Sequence, residues 1–395
     1  KKEKKIIPFE KIQSVHIEQG PLHQILNIVK LSIDTAGSKK SEGTIDSMHK
    51  PMAEALRLML ESGKSATEEE GTAGFNEPVI SLTTKDLLRL SLSANHVEAF
   101  FILLSFVFGL YENIKDINNN IFSSIEDLLP RQAVYPILFL VTSILIITIL
   151  VSTARTFLRY YNLSVIKTNR GFQVKSGLIN LKERMVPSRK VQFVSWKANW
   201  VRRLMNLWLV QYHVAGGDEL KQNQKVQVPV TQTAHISLLV QHYYGQPQLT
   251  NESFVKIHDS YVLNRLLVFG IAPSIVIVPV LWLFWNEYAL LFVIYPLFLL
   301  ISLWCFRRKF RLWALEDILH IRKGIFGEEK IIMQWHKLQC VQISQSIHQR
   351  HKDLATITFH TASGNITVPF ISLAAARQVV NFSLFKVESS PHNWM

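Results

Sequence analysis

The chain has 395 residues, with 43 Lys and Arg against 30 Asp and Glu, a formal charge of +13. Hydrophobic residues make up 48% and charged residues 18%, a balance that argues against a disordered chain, because disorder goes with low hydrophobicity. Two cysteines exclude a disulfide-stapled secreted scaffold. The length admits two or three domains. The chain begins Lys1-Lys2-Glu3-Lys4-Lys5 without a methionine, which suggests a processed chain or a fragment.

In chain order, residues 7–15 read IPFEKIQSV, and Val29–Ile33 alternates as a strand before the Gly/Ser turn AGSKKSEG. A helix comes next over Pro51–Leu60, opened by a proline whose missing N–H would be unpaired there anyway. Lys64–Glu77 is a flexible acidic linker, and Leu82–Leu92 is an amphipathic lead-in to the first apolar stretch. That stretch, Asn95–Tyr111, carries one acid, Glu98, and Ala133–Val151 runs 19 residues without a charge. Leu163–Val165, Phe172–Val174 and Gln224–Val230 predict strands, and Ala234–Tyr244 a closing helix. After a second lead-in at Tyr261–Leu267, Leu266–Trp285 and Tyr288–Phe306 run 20 and 19 residues without a charge. The C-terminal part predicts strands at Leu354–Phe359 and Asn365–Val368 and a helix over Leu373–Phe385.

A helix needs about 20 apolar residues to cross a bilayer, so the four apolar stretches predict membrane helices. Pro136, Pro273, Pro279 and Pro296 would favour buried core helices instead, but membrane helices tolerate proline. Tyr111, Tyr135, Trp282, Trp285, Tyr288 and Trp304 sit near the ends, as in interfacial aromatic belts. The stretches pair into two hairpins, one joined by residues 112–132 with four acids and two bases, the other by Asn286-Glu287. Lys85, Arg89, Arg155, Arg159, Arg265, Arg307, Arg308, Lys309 and Arg311 flank the opposite ends. By the positive-inside rule those flanks are cytoplasmic, which puts every long hydrophilic segment in the cytosol.

The hydrophilic segments repeat. IPFEKIQSV (7–15), VPSRKVQFV (186–194) and MQWHKLQCV (333–341) each place Lys, an aliphatic residue and Gln in series, at Lys11, Lys190 and Lys337. The last two copies are offset by 337 − 190 = 147 residues, which also lays Gly177-Leu178-Ile179 on Gly324-Ile325-Phe326. With Tyr160-Tyr161-Asn162-Leu163 and Val214-Ala215-Gly216-Gly217, these elements resemble the bacterial pleckstrin-homology (PH) type domain. Three copies with hairpins between them are similar to the YdbT-like multi-pass membrane protein family.

The resemblance implies an α+β membrane protein: three PH-like antiparallel β modules, each a bent sheet of about seven strands closed by a C-terminal helix, interleaved with two transmembrane α-hairpins. The corresponding segments are residues 1–63 (first repeat, lacking opening strands), 64–90 (linker and lead-in helix), 91–157 (first hairpin), 158–246 (second repeat), 247–264 (linker), 265–306 (second hairpin) and 307–395 (third repeat). The missing strands predict that a natural N-terminus, with a further hairpin, precedes Lys1. The third copy has Gln334 in place of Pro8 and Pro187, and His360–Gly364 in place of the Ala-Gly-Gly turn.

Catalytic signatures are absent: no P-loop, dinucleotide glycine fingerprint, HExxH, paired CxxC or G-x-S-x-G elbow. His348 and His351 have metal-ligand spacing, but their context, SIHQRHKD, reads as a polar loop. We therefore expect no enzyme activity, no cofactor and no metal. The candidate binding residues are the cations Lys182, Arg184, Arg189, Lys190, Arg202 and Arg203, any two or three of which could hold an anionic headgroup if gathered in a pocket. They equally suit ordinary solvated strand faces. Trp196–Leu209 (WKANWVRRLMNLWL) has the makeup of an interfacial membrane segment, although a bent strand and turn with core-facing aromatics fits better. The expected function is binding and assembly at the cell membrane, with lipids and with its own copies or a smaller membrane protein of the same family, and not with nucleic acid. The resemblance implies a role in protecting the bacterial envelope. A component of an export or transport complex is the alternative.

Overall fold

The computed structural model of the protein describes residues 12–35, 43–62, 78–94, 96, 99–107, 109, 134–168, 171–215, 226–230, 233–244 and 254–390. These form two compact units: residues 1–80, 165–174 and 182–395, and residues 81–164 with 175–181.

In the first unit the repeat is carried by two kinds of strand group. A trailing meander consists of β1 (Ile12–Gln19), helix α1 (Pro21–Ile25), β2 (Ile28–Thr35) and β3 (Gly43–His49), closed by α2 (Lys50–Ser62). The short β4 (Pro78–Ser81), α3 (Thr84–Leu92), the helical residues 99–107 (α4) and α5 (Val134–Tyr160) come after it. A leading group then opens the second copy: β5 (Ser164–Thr168), β6 (Gly171–Ser176) and β7 (Leu181–Pro187). Its trailing meander is β8 (Val191–Ala198), α6 (Trp200–Leu204), β9 (Trp208–Val214) and β10 (Val226–Val230), closed by α7 (Thr233–Tyr244). The third copy repeats the plan after α8 (Ser260–Leu266), α9 (Ala272–Trp285) and α10 (Ile294–Lys309). It runs β11 (Arg311–Ala314), β12 (Ile318–Lys323), β13 (Glu328–Gln334), then β14 (Cys340–Ser344), α11 (Ile347–His351), β15 (Leu354–Thr361), β16 (Gly364–Ser372) and α12 (Leu373–Glu388).

The sheets do not respect the repeat boundaries. Their orders are β3-β2-β1-β7-β6-β5-β4, β10-β9-β8-β13-β12-β11 and β14-β15-β16. The trailing meander of one copy is thus continued by the leading strands of the next, where the family resemblance led us to expect each module to keep its own sheet. The seam between the second and third copies is an antiparallel ladder that pairs Ala198 with Glu328 and Phe193 with Met333 at its two ends. Side chains cannot encode such a seam directly, because its bonds are made by backbone groups that every residue carries.

Strand alternation then builds the cores. Leu312, Leu319, Ile321, Ile331, Met333 and Phe193 project from one face of the six-stranded sheet onto Ile357, Phe359, Ile366 and Val368 of the three-stranded one. Ala376, Val379 and Val380 of α12 close that core. Val15, Ile17, Val29, Leu31 and Ile33, with Ala53 and Leu60 of α2, make the smaller core of the first copy. In the second copy Phe172 meets Tyr212 and Tyr243, and the Tyr243 hydroxyl donates to the Val186 carbonyl at 3.2 Å. Gly177 and Gly324, aligned by the 147-residue offset, take φ of +115° and +145°, a region only glycine enters freely.

Gly327 lies at a close approach of the two backbones at the seam. A Cβ there would lie 2.3 Å from the Ala198 carbonyl oxygen, a backbone atom that cannot turn aside. Gly327→Ala should therefore pry β13 from β8 and cost about 1–3 kcal/mol, the usual range for overpacking. Thermal unfolding of the full chain followed by tryptophan fluorescence would measure it, and an unchanged midpoint would mean that the seam is not tightly closed.

Among the described residues, two helices are long and apolar enough to cross a membrane, Phe139–Tyr160 and Ser260–Leu283. A core helix of a soluble protein would bury most of its apolar window, whereas these bury 11% and 6%. The other two expected spans differ from a full crossing. The first is described as helix only over residues 99–107 and at 109. The last is a 3-10 helix over Asn286–Val293 before the 16 α-helical residues of α10. Asn286, at φ 47° and ψ −125°, leaves the right-handed helical region and ends α9. Gly270 lets α10 approach closely: its missing side chain leaves room for Leu299 and Pro296, the small-residue device of membrane helix contacts.

The second unit contains α3, α4, α5 and residues 175–181. Thr83 caps α3 by accepting the Asp86 N–H at 3.2 Å, and Leu87 and Leu90 of α3 are buried. The 175–181 segment is tied to the end of α5 by Gly177 N–H to the Tyr161 carbonyl and Leu178 N–H to the Leu158 carbonyl, both 2.9 Å.

Candidate functional site

The six candidate cations fall on a strand, a turn and a short helix. Lys182 and Arg184 are two apart on β7, so they share a face, and both reach Glu18 of β1, at 3.8 and 3.3 Å. Arg189 and Lys190 lie in the 3-10 turn Ser188–Lys190 that links β7 to β8. There the buried Lys337 ammonium donates to the Arg189 carbonyl at 2.9 Å, and burial lowers the Lys337 pKa. The repeated lysine of the third copy is thus a fastening onto the second. Arg202 and Arg203 sit on α6, which Asn199 caps by accepting the Arg202 N–H at 2.7 Å.

A cluster of charges among the described residues is one that the sequence does not announce. Glu328, only 7% exposed, opens β13 at the seam, with Arg322 at 3.0 Å, Lys330 at 3.4 Å and Arg203 at 3.6 Å. Arg322 and Lys330 are cross-strand partners, and Arg203 comes from the preceding copy, so this one carboxylate ties two copies together. Beside it His320 stacks on Trp313, with centroids 4.8 Å apart, and is followed by Trp196 at 6.4 Å. His320 is buried and neither ring nitrogen has a hydrogen-bond partner among the described residues. Desolvation first, then the charges of Lys330 and Arg322, lower its pKa to about 4. Glu328 stands beside Glu329 between Gly327 and Lys330 and reads in sequence as an ordinary solvated strand end, so no local signal marks it.

The Trp196–Leu209 segment is a strand end, a short helix and the start of a second strand. Trp196 and Trp208 are buried, as a bent strand with core-facing aromatics requires. The helix between them exposes Trp200, Leu204 and Met205, with Leu204 81% exposed. The same device occurs in each copy: a five-residue helix between the first two strands of the trailing meander, followed by Asn27, Asn206 or Asp353 at positive φ. The first displays Leu22, Ile25 and Leu26, and the third Ile347. His348 and His351 are on that third helix, whose Ser346–Gln349 capping box gives it an ordinary structural start.

Fused antiparallel sheets with closing helices, repeated along one chain, define a class: tandem PH-like modules accompanied by apolar helices. Residues 1–64, 112–246 and 263–384 match the Bacterial PH domain family, and the chain belongs to it. Among curated proteins it is similar to UPF0699 transmembrane protein YdbT of Bacillus subtilis (strain 168), with 23% identity over 381 residues, 92% of this chain and 76% of YdbT. Together with the two apolar helices, this likeness supports a membrane location.

Proposed function

We propose that the chain is a non-enzymatic integral membrane protein, crossing the bilayer as two hairpins and presenting its PH modules to the cytosol as a surface for assembly. The observation that carries this reading is the fused sheet. Joining module to module by strand addition is what these domains do within the chain, and the same chemistry serves between chains. The basic flanks of the apolar stretches support the cytosolic orientation, as does the transmembrane description of YdbT for the membrane itself. A role in envelope protection, with its own copies or a smaller protein of the same family as partner, is part of the same proposal. The exposed Ile347 tests orientation. With Cys305 and Cys340 replaced by serine, Ile347→Cys should react with a membrane-impermeant maleimide in inside-out vesicles and not in intact cells. The opposite pattern would overturn the reading. Native mass spectrometry should then find a defined assembly, whereas a monomer with vesicle transport activity would favour an export component.

Anionic lipid recognition is a second reading, favoured by α6, where exposed Trp200 and Leu204 flank Arg202 and Arg203. Apolar groups beside arginines suit the membrane interface, and a basic residue near an anionic surface gains about 1 kcal/mol. Replacing both arginines by glutamine should lower retention of phosphatidylglycerol by the purified full-length protein about tenfold. Retention unchanged within twofold would make these residues purely structural.

A further inference from the structure

Among the described residues the seams leave one trailing strand, β14, unmatched. β1 is flanked by β2 of its own meander and by β7 of the next copy, and β8 likewise by β9 and β13. β14, which occupies the same place in the third copy, pairs with β15 and ends its sheet. The 147-residue offset lays Phe193, Val194, Ser195 and Trp196 of β8 on Cys340, Val341, Gln342 and Ile343. The four β8 residues are buried; in β14 Cys340 and Gln342 are exposed, while Val341 and Ile343 are half-buried. Edges that must stay free are ordinarily blunted by lysine, proline or a bulge. β14 reads Cys-Val-Gln-Ile-Ser with no charge and no proline, and its register with β15 is regular. Among the described residues, both leading strands that could fill such a place, β7 and β13, are already taken inside the chain.

We infer that the free edge of β14 is a docking site for a strand from a bacterial PH module on a different polypeptide, added antiparallel as β13 is added to β8. This rests on the assembly reading and names its surface. The register of the internal seam sets what the incoming strand must offer. Ile332 faces Val194 and Lys330 faces Trp196, so the guest places an aliphatic residue opposite Val341 and a long side chain opposite Ile343. The bonds are backbone bonds and supply affinity, while the alternate side chains supply selectivity.

The test keeps the full-length protein in its own membranes. A photo-crosslinking benzoylphenylalanine replaces Gln342, whose side chain stands clear of the core. Irradiation should yield an adduct with a second polypeptide, mapped by peptide sequencing to the last leading strand of a bacterial PH module. Adducts between two copies of this chain, adducts with lipid, or none would overturn the proposal. The double variant Gln342→Lys, Ser344→Lys adds the charges that blunt an edge without touching the core. It should reduce co-purification of that polypeptide at least tenfold, with a melting temperature within about 2 °C of the parent. Undiminished co-purification of the same polypeptide would also overturn the proposal while leaving assembly through some other surface intact.

Discussion

Glu328→Ala should destabilise the protein by about 1.5–3 kcal/mol, the range for losing hydrogen bonds between charged groups. Three cations converge on this carboxylate, and Arg203 reaches it from the neighbouring copy. Without it they repel one another beside the buried ring of His320, and the link across the seam is lost. A control separates this from ordinary surface electrostatics. Glu316 pairs with Lys386 at 3.6 Å while 86% exposed, so Glu316→Ala should cost less than about 1 kcal/mol. Denaturation of the two full-length variants in detergent, read by tryptophan fluorescence, decides between them. Equal small losses would mean that the Glu328 cluster is solvated and carries no seam.

His320→Phe should act in the opposite direction and change how stability depends on pH. In the folded protein the ring is held neutral, with its pKa lowered to about 4, whereas in the unfolded chain it titrates near 6.5. Between those values the unfolded chain binds a proton that the folded one refuses, so stability is present above about pH 6.5 and falls as the pH drops towards 4. One pKa unit corresponds to about 1.36 kcal/mol, so the loss across this window is on the order of 3 kcal/mol. Phenylalanine keeps a ring between Trp313 and Trp196 and removes two unpartnered nitrogens, whose burial costs about 1–3 kcal/mol each. The variant should be more stable than the parent at pH 7, and the gap should widen at pH 4.5. Parallel curves for the two proteins would assign the acid sensitivity to another group.

Much of the fold is legible in the residues alone. The Lys-aliphatic-Gln signature places Lys190 and Lys337 at the ends of equivalent 3-10 turns, and the alternating runs fall on β10, β15 and β16. The three closing helices lie within a few residues of their expected positions. Where each sheet stops is not legible in the same way. Burial shows the contrast only in the structure: Val191–Trp196 of β8 is buried continuously, where β14 alternates between exposed and half-buried. That is the difference between a strand covered on both faces and one with a solvated face. The candidate cations are neighbours in sequence, yet positions 182 and 184 lie on a strand, 189 and 190 in a turn, and 202 and 203 on a helix. Glu328 acquires its importance only when two distant segments meet.

The seam also sets a timetable for the ribosome. β8 is complete at Ala198, but the strand that covers it begins at Glu328, with the long apolar helix Ser260–Leu283 emerging in between. At about 5–20 residues per second, the nascent β8 edge waits on the order of ten seconds for its neighbour, uncovered while an apolar segment is being delivered to its destination. Translation speed between codons 199 and 328, and any chaperone that shields bare strands, therefore bear on the yield of folded protein.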